Sequence, residues 1–291
     1  MTAVRLGPGD EERLAAFFRR HPDTTLFMHS NSLAAGLVDR GEPLQGTYAA
    51  AFDDDGAIAA LACHCWNGNL LLEAPVALPE VVRAAVAASG RPVSGVIGPD
   101  AQARAARQAL GLDGAATTLA STEDLFALAL DALRVPAPLA SGSLRCRPAR
   151  DDELPALVAW RHDYRVEVIH ETPGPALRER SREEIEHLQA LGRQFVLEAD
   201  GQVVSYAAYN AATPACVQIG GVWTPPALRG RGYARAVVAG ALLASRACGV
   251  ARSVLFTPMG NAPAQAAYRA LGYERIGDYA LILFATPQAV R

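Results

Sequence analysis

Arg229-Gly230-Arg231-Gly232-Tyr233-Ala234 stands between a strand-like apolar run, 217–224, and a long helix-like apolar run, 234–248. Glycines at such a junction let consecutive backbone N–H groups converge with no Cβ in the way, and the start of a helix adds partial positive charge. The chemistry this arrangement suits is the seating of a phosphate or diphosphate. Two other cradles do not fit. A Walker loop requires Gly-Lys-Ser/Thr and the chain contains no lysine, while a dinucleotide fingerprint follows the first strand of a βαβ unit, whereas this turn follows the fourth strand of its half. A loop that merely feeds a helix is the plain alternative.

A second concentration of reactive side chains lies at 160–171, with Arg161, His162, Asp163, Tyr164, Arg165, Glu167, His170 and Glu171. Read as a helix, it puts Tyr164, Glu167 and Glu171 on one face, and Asp163, Glu167 and His170 on a neighbouring one. Such a face either pairs its own ions in water or lines a polar pocket. The next segment, 176–191, mixes Arg and Glu and is expected to be an exposed helix face without chemistry. Cys63, His64 and Cys65 have the look of a metal cluster, but a strand points the two thiols one way and the imidazole the other, so buried thiols are expected.

The order Arg-x-x-Gly-x-Ala, met at Arg229, Gly232 and Ala234, resembles the acyl-CoA signature of the GCN5-related N-acetyltransferase (GNAT) superfamily. Asn261 stands where that family places a CoA-contacting Asn, and 268–273, Tyr-Arg-Ala-Leu-Gly-Tyr, resembles its helix-to-strand junction with a proton-donor Tyr. The resemblance implies acetyl-CoA as acyl donor. It implies that Val222, Trp223 and Thr224 run along the pantetheine arm, that Arg229, Gly230, Arg231, Gly232, Tyr233 and Ala234 seat the diphosphate with Asn261 beside it, and that Tyr268 protonates the leaving thiolate. Trp223 would serve equally as core. The acceptor implied is a small-molecule or peptide amine that attacks the thioester directly, so Cys216 and Cys248 have no catalytic part. Many relatives carry a Glu on the fourth strand; 215–222 contains no carboxylate, and Glu167 is taken instead for amine recognition or deprotonation, with Arg161 and Tyr164 shaping the pocket. The alternative is a non-catalytic acyl-CoA-binding regulatory protein whose N-terminal lobe binds a partner.

The elements that would position these residues occur twice. Residues 101–112 parallel 262–273 without a gap, and upstream of each copy come an apolar helix ending near Gly90 or Gly249 and a strand pair turning at Asp55-Gly56 or Asp200-Gly201. Each half reads as strand, helices, three antiparallel strands, helix, strand, helix and closing strands. The fold expected is α/β, two tandem GNAT-like lobes, each a mixed, mostly antiparallel sheet flanked by helices. A linker is expected at 135–143, where Pro136 and Pro138 resist helix and sheet, giving domains 1–140 and 141–291. The first half has no glycine turn after its strand 69–73 and puts Glu80 at the following helix start; the gapless match also sets Asp100 opposite Asn261 and Arg107 opposite Tyr268. It is expected to be a degenerate lobe without acyl-CoA binding.

Composition limits the function classes. Net charge is −3, divided as 10 arginines against 16 acidic residues before residue 141 and 17 against 14 after it, so nucleic acid finds no general attraction while the second half suits an anionic ligand. No apolar run is long enough for a membrane helix, the start has no export signal, and five scattered cysteines form no disulfide framework, so a cytoplasmic protein is expected.

Overall fold

The computed structural model describes residues 1–290. The first half runs β1 (Ala3–Arg5), α1 (Glu11–Arg20), α2 (Leu26–Ala35), β2 (Gly46–Phe52), β3 (Ile58–Cys65), β4 (Asn69–Glu73), α3 (Leu78–Ser89), β5 (Val93–Pro99), α4 (Asp100–Ala109) and β6 (Thr117–Ala129). After α5 (Ala137–Ala140), the second repeats the order as β7 (Leu144–Pro148), α6 (Leu154–Glu167), α7 (Pro175–Ala190), β8 (Gln194–Ala199), β9 (Gln202–Ala212), β10 (Cys216–Trp223), α8 (Tyr233–Ala247), β11 (Arg252–Pro258), α9 (Ala262–Leu271) and β12 (Glu274–Gln288). This is the duplicated α/β plan that the internal repeat predicts.

Two compact units form, and no single cut near residue 140 separates them. The first comprises Met1–Leu125, Phe256–Gly260 and residues 275–290; the second comprises Phe126–Leu255 and Asn261–Glu274. Within the first unit the strand order is β1-β2-β3-β4-β5-β12, with β12 antiparallel to β5 from Tyr279↔Pro99 to Leu283↔Gly95. Alternation along β12 buries Ala280, Ile282 and Phe284 against Leu70, Leu72, Val81 and Val82, so the last strand completes a core laid down by the beginning of the chain. Within the second unit the order is β6-β11-β10-β9-β8-β7, and α8 lies on the sheet through Ala236, Val237, Ala239 and Leu242.

Local departures from the sequence reading have local causes. The Asp200-Gly201 turn puts both residues at positive φ, 49° and 73°, the two-residue geometry expected of that dipeptide. At Asp55-Gly56 only Gly56 does so; the Asp53 carboxylate accepts from the amides of Asp55 and Ala57, and this widens the turn. The expected linker contains the short helix α5, since Pro136 precedes it as N-cap and Pro138 lies in its first turn, where no N–H is needed. Helix α6 stops at Glu167, and His170 turns left-handed at φ 61°, so Glu171 and His170 do not share its face as expected.

Ile282→Ala should lower stability by about 2–5 kcal/mol, the usual range for truncating a buried Ile, whereas Ile276→Ala, on an exposed stretch of the same strand, should stay within about 0.5 kcal/mol. Urea unfolding compares the two; equal effects would mean that β12 does not belong to the first core.

Candidate active site

Strand β10 is where the second unit departs from a regular sheet. It runs parallel to β11 only through Cys216↔Arg252, Val217↔Ser253 and Gln218↔Val254, yet continues to Trp223. Its ladder with β9 slips twice. Between Gln218 and Ile219 the extra residue belongs to β9, and between Gly220 and Trp223 it belongs to β10. Gly221 sits in that second bulge at φ 60°, a conformation glycine adopts without strain, and a Cβ at Gly220 would run into the Asn210 amide. The expected bulge is therefore present, and beyond Gln218 the β11-facing edge of β10 is released from its parallel partner.

The glycine turn follows. Gly230 and Gly232 take φ of 78° and 77°, and Gly232 is the N-cap of α8 with its carbonyl bonded to the Ala236 amide at 3.0 Å. No side chain caps the helix, so its leading amides are left for another acceptor. A Cβ added at Gly230 would meet nothing within 4 Å, and one at Gly232 only Arg235 Nη2 at 3.8 Å. Arg235 occupies the third position of α8, where the helix dipole favours an acid, and the first turn contains none. Its Nε is buried without a partner. The turn thus gathers uncapped amides, Arg231 and Arg235, an arrangement suited to an anion. Arg235 was missed in the sequence; a base in a helix's first turn was the available signal.

Arg229, by contrast, is turned toward α6. Its Nε donates to the Thr224 carbonyl at 3.0 Å, its Nη atoms donate to Glu167 Oε1 and Oε2 at 2.6 and 3.0 Å, and its guanidinium lies 4.7 Å from the Trp223 ring centroid. Glu167 therefore has both oxygens engaged by the signature arginine. The carbonyl of Trp223 accepts from Ser205 Oγ at 3.0 Å, and Thr224 Oγ1 lies 2.9 Å from the same hydroxyl. Val222 turns to the α8 side of the sheet and Trp223 to the α6 side. Tyr233 is half-buried on the α8 core beside Ala234.

Asn261 is the N-cap of α9: its Oδ1 accepts from the Ala264 amide at 3.2 Å, with Pro263 in the first turn. Tyr268, on the same helix, is partly buried between Phe126 and Tyr273, at centroid distances of 6.4 and 6.0 Å. Burial pushes its phenol well above the ordinary range, and nearby Tyr164 pushes it further, so it stays protonated at neutral pH.

Arg161 is buried at 8% exposure and donates through Nε and Nη2 to Glu184 of α7, at 2.9 Å for the Nε bond. Arg165 also donates to Glu184 at 2.7 Å and, through Nε, to Glu171 at 2.9 Å. The expectation that 176–191 is only an exposed face is corrected here. Glu184 is the counter-ion that lets α6 bury an arginine; no local pattern in α7 distinguishes it from Glu183 or Glu186. Burial alone would raise the Glu184 pKa, but Arg161 and Arg165 outweigh it and hold the carboxyl below its ordinary value. Burial likewise opposes the charge on Arg161, and Glu184 restores it.

In the first unit the corresponding places are filled differently. β4 pairs with β3 without a slip from Leu61↔Glu73 to His64↔Leu70; its parallel ladder with β5 covers three pairs, Asn69↔Gly95 to Leu71↔Ile97, and a Cβ on Gly98 would still fall 2.8 Å from the Leu72 carbonyl oxygen. Ala77 takes the left-handed N-cap position of α3 at φ 45°, with Glu80 in the first turn. Asp100 pairs with Arg104 and Thr122, and Arg107 donates to the carbonyls of Leu112, Asp113 and Ala115. Cys63 and Cys65 face each other at 3.8 Å, while His64 turns the other way to Ser89 at 2.6 Å.

Two stability tests follow from these contacts. Asn261→Ala should cost about 1 kcal/mol through loss of the cap, with Asn261→Asp recovering most of it, in urea titrations. Glu184→Gln should cost roughly 3 kcal/mol at pH 7 by leaving Arg161 without its counter-ion. Because the folded-state pKa of Glu184 is depressed, its contribution is full above the unfolded value of about 4.5 and disappears as pH falls through the folded one. The wild-type and Glu184→Gln stabilities should therefore converge in acid, and a difference that persists unchanged there would refute the pairing.

No curated protein sequence matches the chain. The family model described as "Acetyltransferase (GNAT) family" matches residues 154–273. Among solved structures, a GCN5-related N-acetyltransferase from Sphaerobacter thermophilus is 15% identical with TM-score 0.56, covering 99% of this chain and 97% of its own. A tandem GNAT protein from the clavulanic acid biosynthesis pathway is 15% identical with TM-score 0.54, covering 99% of both. A Drosophila protein is 11% identical with TM-score 0.67, also covering 99% of both. Residues 154–273, which hold the glycine turn, the splayed strand and Tyr268, thus match the GNAT family model, and the chain shares its fold along 99% of its length with a tandem GNAT protein.

Proposed function

We propose that the second unit transfers an acetyl group from acetyl-CoA to the amine of a small molecule or peptide, by direct attack on the thioester. The observation that carries this reading is the conjunction of two features on adjacent segments: an edge of β10 free of β11 beyond Gln218, and an uncapped α8 N-terminus that begins at Gly232, soon after β10 ends at Trp223. An extended pantetheine arm would add to the edge as a strand does, along Val222 to Thr224, and its diphosphate would reach the amides of Gly230 to Ala234 with Arg231 and Arg235 alongside. Asn261 and Arg229 would border this path.

The chemistry then needs a proton for the leaving thiolate. Tyr268 is held protonated by its surroundings and is assigned that part. Glu167 is assigned first to orienting Arg229, and meets the amine from the edge of that pair. The first unit, with no bulge in β4 and with Glu80 in the first turn of α3, is assigned no acyl-CoA site.

Calorimetry with acetyl-CoA should give one site per chain. Gly232→Asp should abolish binding while the protein still folds, at a cost of about 1–3 kcal/mol for a side chain at φ 77°, because the turn has space for it but the carboxylate would stand where the diphosphate belongs. Tyr268→Phe should keep acetyl-CoA affinity and lower thiol release by about 10²–10⁴-fold, the range for loss of a general acid. Undiminished binding by Gly232→Asp would overturn the site, and undiminished turnover by Tyr268→Phe the assignment of the proton donor.

A further inference from the structure

Around the β10 bulge, hydrogen-bond donors are buried with nothing to bond. Among the described residues seven buried side-chain polar atoms lack a partner, and three of them, Arg161 Nη1, Tyr206 Oη and Trp223 Nε1, belong to side chains that surround this bulge. Tyr206 and Trp223 are opposite each other on β9 and β10 and belong to one core cluster. A Cβ on Gly221 would lie 2.5 Å from Arg161 Nη1 and 3.6 Å from Tyr206 Cε1, so the bulge glycine is what admits the guanidinium beside the Tyr206 ring. Tyr164 closes the group, with its ring 5.0 Å from the Arg161 guanidinium carbon and edge-on to Trp223 at 6.3 Å.

Their exposures, 8%, 0% and 4%, leave bulk water no access that would satisfy them. All three can donate and two can only donate. The ions behind them are unbalanced: Arg161, Arg165 and Arg180 share two carboxylates, Glu184 and Glu171, leaving one positive charge in excess. A concentration of donors carrying one net positive charge is complementary to a monoanion with more than one acceptor oxygen. A carboxylate meets that description, and a phosphate dianion exceeds it.

We propose that Arg161, Tyr206 and Trp223 bind a carboxylate on the acceptor, so that the preferred acceptor is an amino acid or another amine bearing a carboxylate close to its nitrogen. The proposal rests on the transferase reading for the word acceptor, but not for the site. Gly221 adjoins the strand edge assigned to the pantetheine arm, and Tyr164, which closes the donor group, also acts electrostatically on Tyr268. A carboxylate seated at Gly221 would thus hold a nearby amine beside the point of transfer.

The test uses the whole chain and a panel of α-, β- and ω-amino acids, each beside its carboxamide and its decarboxylated amine, with inorganic phosphate as a further probe. Wild type should be stabilised in thermal melts by one or more amino acids and not by their carboxamides, and should acetylate those amino acids with kcat/KM at least 10-fold above the carboxamides. Tyr206→Phe removes only an unbonded hydroxyl, so it should fold as wild type, keep its acetyl-CoA affinity in calorimetry and lose most of that preference. Arg161→Gln combined with Glu184→Gln should lose it altogether without leaving a lone buried charge. Equal treatment of acids and carboxamides by wild type, an unchanged preference in Tyr206→Phe, or stronger stabilisation by phosphate than by any amino acid would overturn the proposal. Failure of acetyl-CoA to bind would instead overturn the transferase reading, and the thermal melts would still decide whether the carboxylate site exists.

Discussion

The second unit depends on one constraint: β10 cannot follow β11 past Gln218 and also follow β9 to Trp223. An extra residue at the Gly221 bulge and another on β9 at Asn210 change the course of the strand, and parallel pairing ends where the slips begin. A bulge increases local twist and leaves a residue unpaired, and the resulting edge has hydrogen-bonding groups that the sheet does not satisfy. The same glycine, lacking a Cβ, opens room on the α6 side for the Arg161 guanidinium. The free edge and the concentration of unpaired donors are two faces of a single irregularity. A regular β10 would have neither.

The first unit supplies an internal control for this argument. It has the same element order and even the same left-handed residue before its helix, Ala77 for Gly232, with the N-cap carbonyl of each bonded to the amide four residues on. What differs is register and charge. β4 keeps its register with β3 as far as Glu73, so no bulge diverts it, although its parallel ladder with β5 also covers three pairs, and the first turn of α3 holds an acid where that of α8 holds Arg235. An acid there satisfies the helix dipole from within, whereas a base leaves it unsatisfied until an anion arrives. The two units differ here by a straight strand and one carboxylate, with no change of fold.

These contrasts show what kind of information the sequence exposes. The glycine turn was legible because its chemistry is local, and the gapless match of 101–112 to 262–273 places α4 and α9 because helix caps and apolar spacing act over a few residues. Asn261 was legible as a special position, though the part it plays in the structure is a helix cap. Hidden were the features that depend on partners distant in sequence: Glu184 facing Arg161 across 23 residues, Tyr206 opposite Trp223, and β12 beside β5. Alternation identifies β12 as a strand but says nothing about which edge it joins. The end of α6 was misjudged because charge periodicity continued past Glu167 while the backbone turned at His170.

Electrostatics in the second unit come in two strengths, and the difference follows from exposure. Arg229 and Glu167 are 42% and 47% exposed, so their bidentate pair contributes no more than about 1 kcal/mol and is easily exchanged for another partner. Arg161 and Glu184 are 10% and 28% exposed, and removing Glu184 strands Arg161 in a poorly hydrated place. The glycine turn is therefore bordered by an arginine whose contacts are cheap to rearrange, while the donors at Gly221 are fixed to a helix pair that cannot yield without destabilising the unit. A rigid recognition point beside an adaptable one suits a site that must discriminate one ligand by geometry and admit and release another whose charge is bound mainly by backbone amides. That asymmetry is set by α7, the helix whose sequence gave the least reason to expect it.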